Sequence, residues 1–341
     1  MRDDGFGNRP RAVRGGSRPR LEPPRGAPAP SGALAPAFVL NVYKEVSWTS
    51  HDAVGRVRRI LDLKQVGHAG SLDPLAAGVL LVAVGRATKV VSHLMALPKS
   101  YRGTLRFGRR TTTGDGGGEM VAEGPVPQAG LEALQAAAAR FHGTVLQVPP
   151  MVSALKQDGE RLYDLARRGI EVDRAPRPVR SDRFTITGVD LPRVDFELDC
   201  GRGTYVRTLA EDLAAEFGTV AFVESLVRTR VGKFSIEDSC RLISPPGSER
   251  AGLSQLGISL GEALSHLDSV RVDARWIHRL RQGGVPPWNN LTFNSKPEIG
   301  SVVRLVGPEG ELIALASLDL LPGPADRPIE HACALRLERV I

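Results

Sequence analysis

Residues 67–89 read GHAGSLDPLAAGVLLVAVGRATK. One acid, Asp73, stands at the mouth of an apolar, glycine-spaced run, and Pro74 follows it. Proline disfavours helical geometry in the residue before it, so Asp73 is extended or in a turn and its carboxylate leaves from a loop. Two readings follow. Asp73 caps a helix that begins at Pro74, the position where proline is most at home, or it is a reacting group held out of regular structure. The run Val79–Val84 is strand-sized and continuously apolar, as a strand covered on both faces should be.

Working outward, Phe38–Val42 reads as a strand, and Ser47–Ser50 offers N-cap candidates for a helix over 51–61 with Val54, Val57, Ile60 and Leu61 at helical spacing. A short helix is expected around 89–97, strands over 101–107 and 194–200, and helices over 131–141, 161–168 and 205–217. From about Ser269, short strand-like runs at 301–306, 312–316 and 332–337 alternate with Gly and Pro, which suggests a small β-rich second domain. Strands and helices mix without regular βαβ alternation. The expected class is therefore α+β, with a mixed, mostly antiparallel central sheet and flanking helices.

At 341 residues the chain has room for two domains, and 42% hydrophobic with 24% charged residues is the balance of a folded, water-exposed protein. No apolar stretch approaches the ~20 residues of a membrane helix. The three cysteines, Cys200, Cys240 and Cys333, are sparse and form no C-x-x-C pair, and the seven histidines form no H-E-x-x-H motif. A disulfide framework and a metal centre are not expected, and a reducing, cytoplasmic setting is. Residues 1–36 hold seven Pro, six Gly and seven Arg against Asp3, Asp4 and Glu22. Such a basic arm is expected to be disordered, and its Arg content leaves organellar import open. The chain carries a net charge of +7, and residues 85–110 hold seven Lys and Arg without an acid. That run suits a polyanion or an ordinary solvated face.

The stretch G-S-L-D-P-L-A-A-G-V-L, preceded by Gly67-His68 and followed by Gly85-x-Ala87-Thr88-Lys89, resembles the catalytic motif of the TruB-type tRNA pseudouridine synthases. Further blocks resemble that family in its order: Lys99-Ser-Tyr101, Gly108 to Gly118, Pro150 to Lys156, Gly159 to Tyr163, Ala166 to Gly169, Cys200 to Arg207 and Leu226 to Gly232. The likeness covers roughly 39–235 and is weaker beyond. It implies the pseudouridine synthase fold over 37–268 with an RNA-gripping insertion at 150–178, and a PUA-like RNA-binding domain over 269–341. It implies isomerisation of the T-loop uridine of tRNA at position 55, with a flipped-out base and no cofactor. Its partner would be the tRNA T-arm, with no membrane and no obligatory protein subunit, the chain acting as a monomer.

By the same resemblance Asp73 is the catalytic carboxylate, Arg207 its ion-pair partner and Tyr101 the catalytic ring that stacks on the base and is a candidate to take the C5 proton. Tyr205, Leu226 and His68 match the base pocket, and Lys44, Lys89, Arg110, Lys156, Arg161 and Arg228 an RNA-facing set. A neighbouring cation is expected to hold the Asp73 carboxyl low. Tyrosine at its ordinary pKa, ~10, is a poor base at neutral pH, which favours stacking for Tyr101. The chain departs from the family pattern at Ala69, Thr112, Val152 and Gly201, and the proline expected after Lys44 is Glu45. Thr112 in place of Asp is expected to loosen a loop or RNA contact. An RNA-binding or tRNA-folding protein with vestigial catalysis is the alternative. A guide-RNA-dependent synthase is disfavoured by the insertion. Deleting 269–341 is expected to weaken tRNA binding more than chemistry.

Overall fold

The computed structural model describes residues 36–242, 249–287, 290–294, 298–320 and 333–341. The expected disordered arm lies, but for Pro36, outside these residues. The described residues, from Pro36 to Ile341, pack as one compact unit.

The quoted apolar run is the centre of the molecule. Ala77–Gly85 is a strand buried at every position. Its alternate residues feed different cores: Val79, Leu81 and Ala83 pack on one side, Leu80, Val82 and Val84 on the other. That explains the missing polar alternation, because both faces of the strand are covered. Ala37–Lys44 pairs with it antiparallel, and Ala221–Val231 pairs with it in parallel. The sheet continues antiparallel through Lys99–Phe107, Arg193–Cys200, Arg177–Asp190 and Gly143–Gln147. Short strands at Val66–His68, Phe234–Ser235, Cys240–Arg241 and Ile258–Ser259 complete an eleven-stranded mixed sheet among the described residues.

Helix Ser50–Leu61 covers one face, burying Ala53, Val54, Val57 and Leu61. Thr49 and Asp52 form its capping box, which fixes its start within the expected 47–50 window. Helix Val206–Ala215 buries Leu209, Ala210 and Leu213 against the Phe196 and Leu198 side of the sheet. No helix begins at Pro74. The Ala76 N–H closes a turn on the Asp73 carbonyl at 3.0 Å, and the chain then enters the strand at Ala77. The helix-cap reading of Asp73 is therefore corrected to a turn that launches a buried strand.

The register places Gly78 opposite Lys44 on one side and Arg228 on the other. A Cβ on Gly78 would lie 2.2 Å from the Arg228 carbonyl oxygen, and its φ of +104° is a left-handed one. Only glycine lets three strands converge immediately behind the Asp73 loop.

A separate five-stranded sheet runs in the order Leu291–Phe293, Ser269–Val272, Val302–Val306, Leu312–Leu320, Cys333–Val340. Helix Ala274–Arg281 buries Leu280 in the small core of this sheet. The predicted strands are found there, two of them longer than expected. The first two strands and the helix lacked a readable pattern. This sheet is not a free body, however. Leu315 is fully buried among Leu260, Ala263, Leu264, Val90 and Leu94, with Leu312, Val302 and Ile341 beside it. Position 268 is thus a change of sheet, not a gap in packing.

Candidate active site

The turn that carries Asp73 is tied down from three directions. The Ser50 hydroxyl, buried at the first turn of its helix, accepts from Leu72 N–H at 2.9 Å and donates to the Leu72 carbonyl at 3.3 Å. Arg228 donates from Nη2 to Gly70 O at 3.2 Å, from Nη1 to Ser71 O at 3.3 Å and from Nε to Val79 O at 2.7 Å. The Pro74 carbonyl accepts from Ser47 N–H at 2.8 Å and from Lys44 Nζ at 3.4 Å. The same ammonium donates to Trp48 O at 2.6 Å and Glu45 O at 3.0 Å. Lys44 and Arg228, expected to face RNA, are therefore corrected: both are buried within the fold, and backbone carbonyls engage them. Burial lowers the Lys44 pKa to about 8.

Asp73 faces Arg207. Nε lies 2.9 Å from Oδ2 and Nη2 lies 3.4 Å from Oδ1, a two-point pairing. The rest of the guanidinium is also committed, Nη1 to Thr113 O at 2.8 Å and Nη2 to Val152 O at 2.9 Å. Arg207 is 6% exposed at its side chain and Asp73 39%. The cation is thus part of the wall and the carboxylate is presented to the cavity. Burial raises the Asp73 pKa from its ordinary value, with Arg207 and then Lys44 opposing and Asp115 adding to the rise. The expected low carboxyl is corrected accordingly: the arginine limits the rise without reversing it.

The loop behind Arg207 is held by Asp115. Its Oδ1 accepts from Thr113 Oγ1 at 2.6 Å and from Gly117 N–H at 3.0 Å. Thr112 also ties the loop, its hydroxyl accepting from Glu119 N–H at 3.1 Å. Gly201 lies in the cavity wall.

The cavity beside Asp73 has a volume of about 520 Å³, and Tyr101, Lys99, Tyr205, Leu226 and Arg228 also line it. That is the size range of small-molecule sites. Burial raises the Tyr101 pKa, with Arg228 acting the other way, so the phenol is protonated at neutral pH. Lys99, which the sequence reading assigned no role, donates to the Met95 and Leu97 carbonyls, both at 2.5 Å, and burial lowers its pKa to about 8.

The remaining site residues fall elsewhere. His68 is not a lining residue of this cavity. It packs edge-on against His51 with ring centroids 5.5 Å apart, and burial first, then His51 and Arg228, push its pKa down to about 4. Lys89 is exposed and donates to Val340 O at 2.8 Å, on the C-terminal strand. Arg110 is exposed on the Arg109–Thr111 strand. Lys156 and Arg161 are exposed cross-strand partners in the insertion. Like charges set opposite each other disfavour an isolated hairpin, and an anion over them would offset the repulsion. The contacts of Ser50, Thr113 and Val152 were not readable, because each joins segments far apart in the chain.

Residues 58–206 match a family profile described as TruB family pseudouridylate synthase, N-terminal domain. The tRNA pseudouridine synthase B of Moorella thermoacetica is 39% identical over 284 residues, covering 82% of this chain and 93% of the relative. That of Mycobacterium tuberculosis strain H37Rv is 43% identical over 235 residues, covering 68% and 77%. Among solved structures, a Cbf5–Nop10–Gar1 complex aligns with a TM-score of 0.68 at 23% identity over 89% of this chain and 84% of that one. An H/ACA ribonucleoprotein bound to a substrate RNA containing 2′-deoxyuridine gives 0.66 at 21%, with the same coverage. These two share the fold, a large mixed sheet with a small C-terminal one. Near-complete coverage of a relative at 39% identity decides the affiliation: the chain belongs to the TruB family of pseudouridine synthases, which are isomerases.

Proposed function

We propose that this chain converts the uridine at position 55 in the T-loop of tRNA to pseudouridine, with Asp73 as the reacting carboxylate. The observation that carries the reading is a carboxylate paired two-on-two with a buried arginine at the wall of a 520 Å³ cavity that Tyr101, Tyr205 and Leu226 also line. The substrate follows from the relatives, which are tRNA enzymes by name.

The reaction breaks the N1–C1′ bond, turns the base and forms C5–C1′. One proton leaves C5 and one is gained at N1, so the change is an isomerisation with balanced electrons. The uridine leaves its stack to enter the cavity, which costs a few kcal/mol. Tyr101 offers an aromatic face to the base, and stacking suits a phenol whose pKa is raised. Asp73 acts ionised, at the sugar or at the base, and Arg207 stabilises that charge. Exposed Lys156, Arg161 and Arg110 meet phosphates. The reading takes tRNA as the partner and needs no protein subunit.

The test is chemical mapping of pseudouridine in T-arm RNA incubated with the wild type and with Asp73→Asn. Modification by the wild type alone is expected. Equal modification by both variants sinks the role of Asp73. Tight binding with no modification by either makes the chain an RNA-folding protein instead.

A further inference from the structure

Gln147 closes the sheet-edge strand Gly143–Gln147, and its side chain is buried at 2% exposure. A buried primary amide needs partners for its oxygen and its nitrogen. Both partners lie on one distant residue. Gln147 Oε1 accepts from Tyr205 N–H at 3.0 Å, and Nε2 donates to the Tyr205 carbonyl at 3.3 Å. The side chain thus does for Tyr205 what an adjacent strand would do.

Tyr205 is where such support matters. It precedes helix Val206–Ala215 in an extended conformation, with φ −102° and ψ 111°, and no side-chain cap serves that helix start. Its carbonyl also accepts the first helical bond, from Leu209 N–H at 3.2 Å. The Tyr205 ring lines the cavity, and two residues on, Arg207 pairs with Asp73. One amide therefore sets the backbone from which both side chains project.

We propose that Gln147 is a positioning residue for the isomerisation. Without touching substrate, it fixes the Tyr205 backbone and so aligns the base-pocket ring and the Arg207–Asp73 pair. The assignment rests on the function proposed above. The fold supplies an internal comparison. Gln135, on helix Leu131–Ala139, makes a comparable two-point clamp spread over two residues, donating to Phe184 O at 3.3 Å and accepting from Ile186 N–H at 2.8 Å, and it does not line the cavity.

The experiment compares Gln147→Ala, Gln147→Glu and Gln135→Ala with the wild type in single-turnover and steady-state assays on T-arm RNA. Hydrogen exchange of backbone amides 205–209 is read in parallel. Gln147→Ala is expected to lose about 10- to 100-fold in turnover at saturating RNA with little change in KM, because misplacement near the reacting atoms acts on the chemical step. Gln147→Glu sets a buried carboxylate against the Tyr205 carbonyl, so its turnover is expected to fall at least as far as that of Gln147→Ala. Gln135→Ala is expected to lower Tm comparably while turnover stays within about twofold, as for an independent site. Faster exchange at 205–209 is expected for the Gln147 variants and not for Gln135→Ala. Wild-type turnover in both Gln147 variants, or a loss in Gln135→Ala that matches its Tm as closely as in Gln147→Ala, overturns the proposal. Unchanged exchange in both Gln147 variants overturns it whatever RNA the protein modifies. An inactive wild type with the expected exchange pattern instead counts against the proposed function.

Discussion

Asp73 and Arg207 meet through two contacts, 2.9 Å and 3.4 Å, while the guanidinium donates two further hydrogen bonds, to the Thr113 and Val152 carbonyls. An arginine so committed cannot swing to follow another anion. It holds the carboxylate in one orientation while leaving the acid's other side open to the cavity. Lysine, a single flexible charge, cannot reproduce that geometry.

Arg207→Lys should therefore leave RNA binding within about threefold and lower turnover by at least ~10-fold, measured by single-turnover modification. Arg207→Gln should also move the acid limb of the pH–rate profile. Burial already raises the Asp73 pKa and Arg207 opposes the rise, so removing the cation carries the limb to higher pH. A limb that stays in place or moves down contradicts this. The stability loss should fall below the ~3–5 kcal/mol of a fully buried pair, since Asp73 is partly exposed.

Lys44 predicts a pH dependence of stability with a definite sign. Its pKa falls from the ordinary 10.5 to about 8 on folding. Below pH 8 both folded and unfolded chains hold the proton, and the fold carries the penalty of a buried ammonium. Between pH 8 and 10.5 the folded chain releases the proton while the unfolded chain keeps it. The free energy of unfolding therefore rises with pH there, on the order of 3 kcal/mol for this group. Lys99, also lowered to about 8, adds a similar rise. Cys200, which burial raises to about 11, opposes these rises above pH 9, so urea unfolding of Lys44→Met across pH 7.5–10.5 should show a clearly smaller increase than the wild type.

Two glycines near the site should differ sharply. Gly78→Ala forces a Cβ to 2.2 Å from the Arg228 carbonyl at a left-handed φ and should cost at least ~3 kcal/mol. At Gly201 a Cβ would meet Arg180 Cβ at 3.3 Å, a tight contact that asks the strand Arg177–Asp190 to give by a few tenths of an ångström. Gly201→Ser should change Tm by less than ~3 °C and leave turnover within about threefold. Thermal melts and modification assays check both.

Deleting 269–341 should not act on binding alone. The deletion removes Leu315, Leu312 and Val302 from a core shared with Leu260, Leu264, Val90 and Leu94. A Leu315→Ala variant, losing about 2–5 kcal/mol, should reproduce part of the destabilisation in the full chain. A truncated protein with an unchanged melting temperature would refute this.

Much of the fold was legible because its strongest elements are local. The apolar run 79–84 and the 3.6-residue spacing of Val54, Val57 and Leu61 each follow from burial by one neighbouring layer. The residues that line the site, Asp73, Tyr101, Tyr205, Leu226 and Arg207, were legible through motif resemblance. What escaped was the direction in which charged side chains point. Lys44 and Arg228 look like surface cations in a basic chain, and only the register across Gly78 turns them inward. Likewise Ser50 and Gln147 act on residues 22 and 58 positions away, a distance over which no local pattern carries information. The C-terminal strands were visible, but their shared core with the catalytic part was not, because Leu315 in a short β run reads the same whichever side it faces.

The Val152 carbonyl, on the insertion, accepts a hydrogen bond from the same Nη2 that reaches Asp73. On the proposed function this segment meets the RNA, and a shift on binding would reach this contact directly. Here any such shift either breaks that bond or drags the guanidinium with it. Both outcomes are felt by the carboxylate one hydrogen bond away, so the proposed RNA contact and the placement of the acid would be one mechanical event.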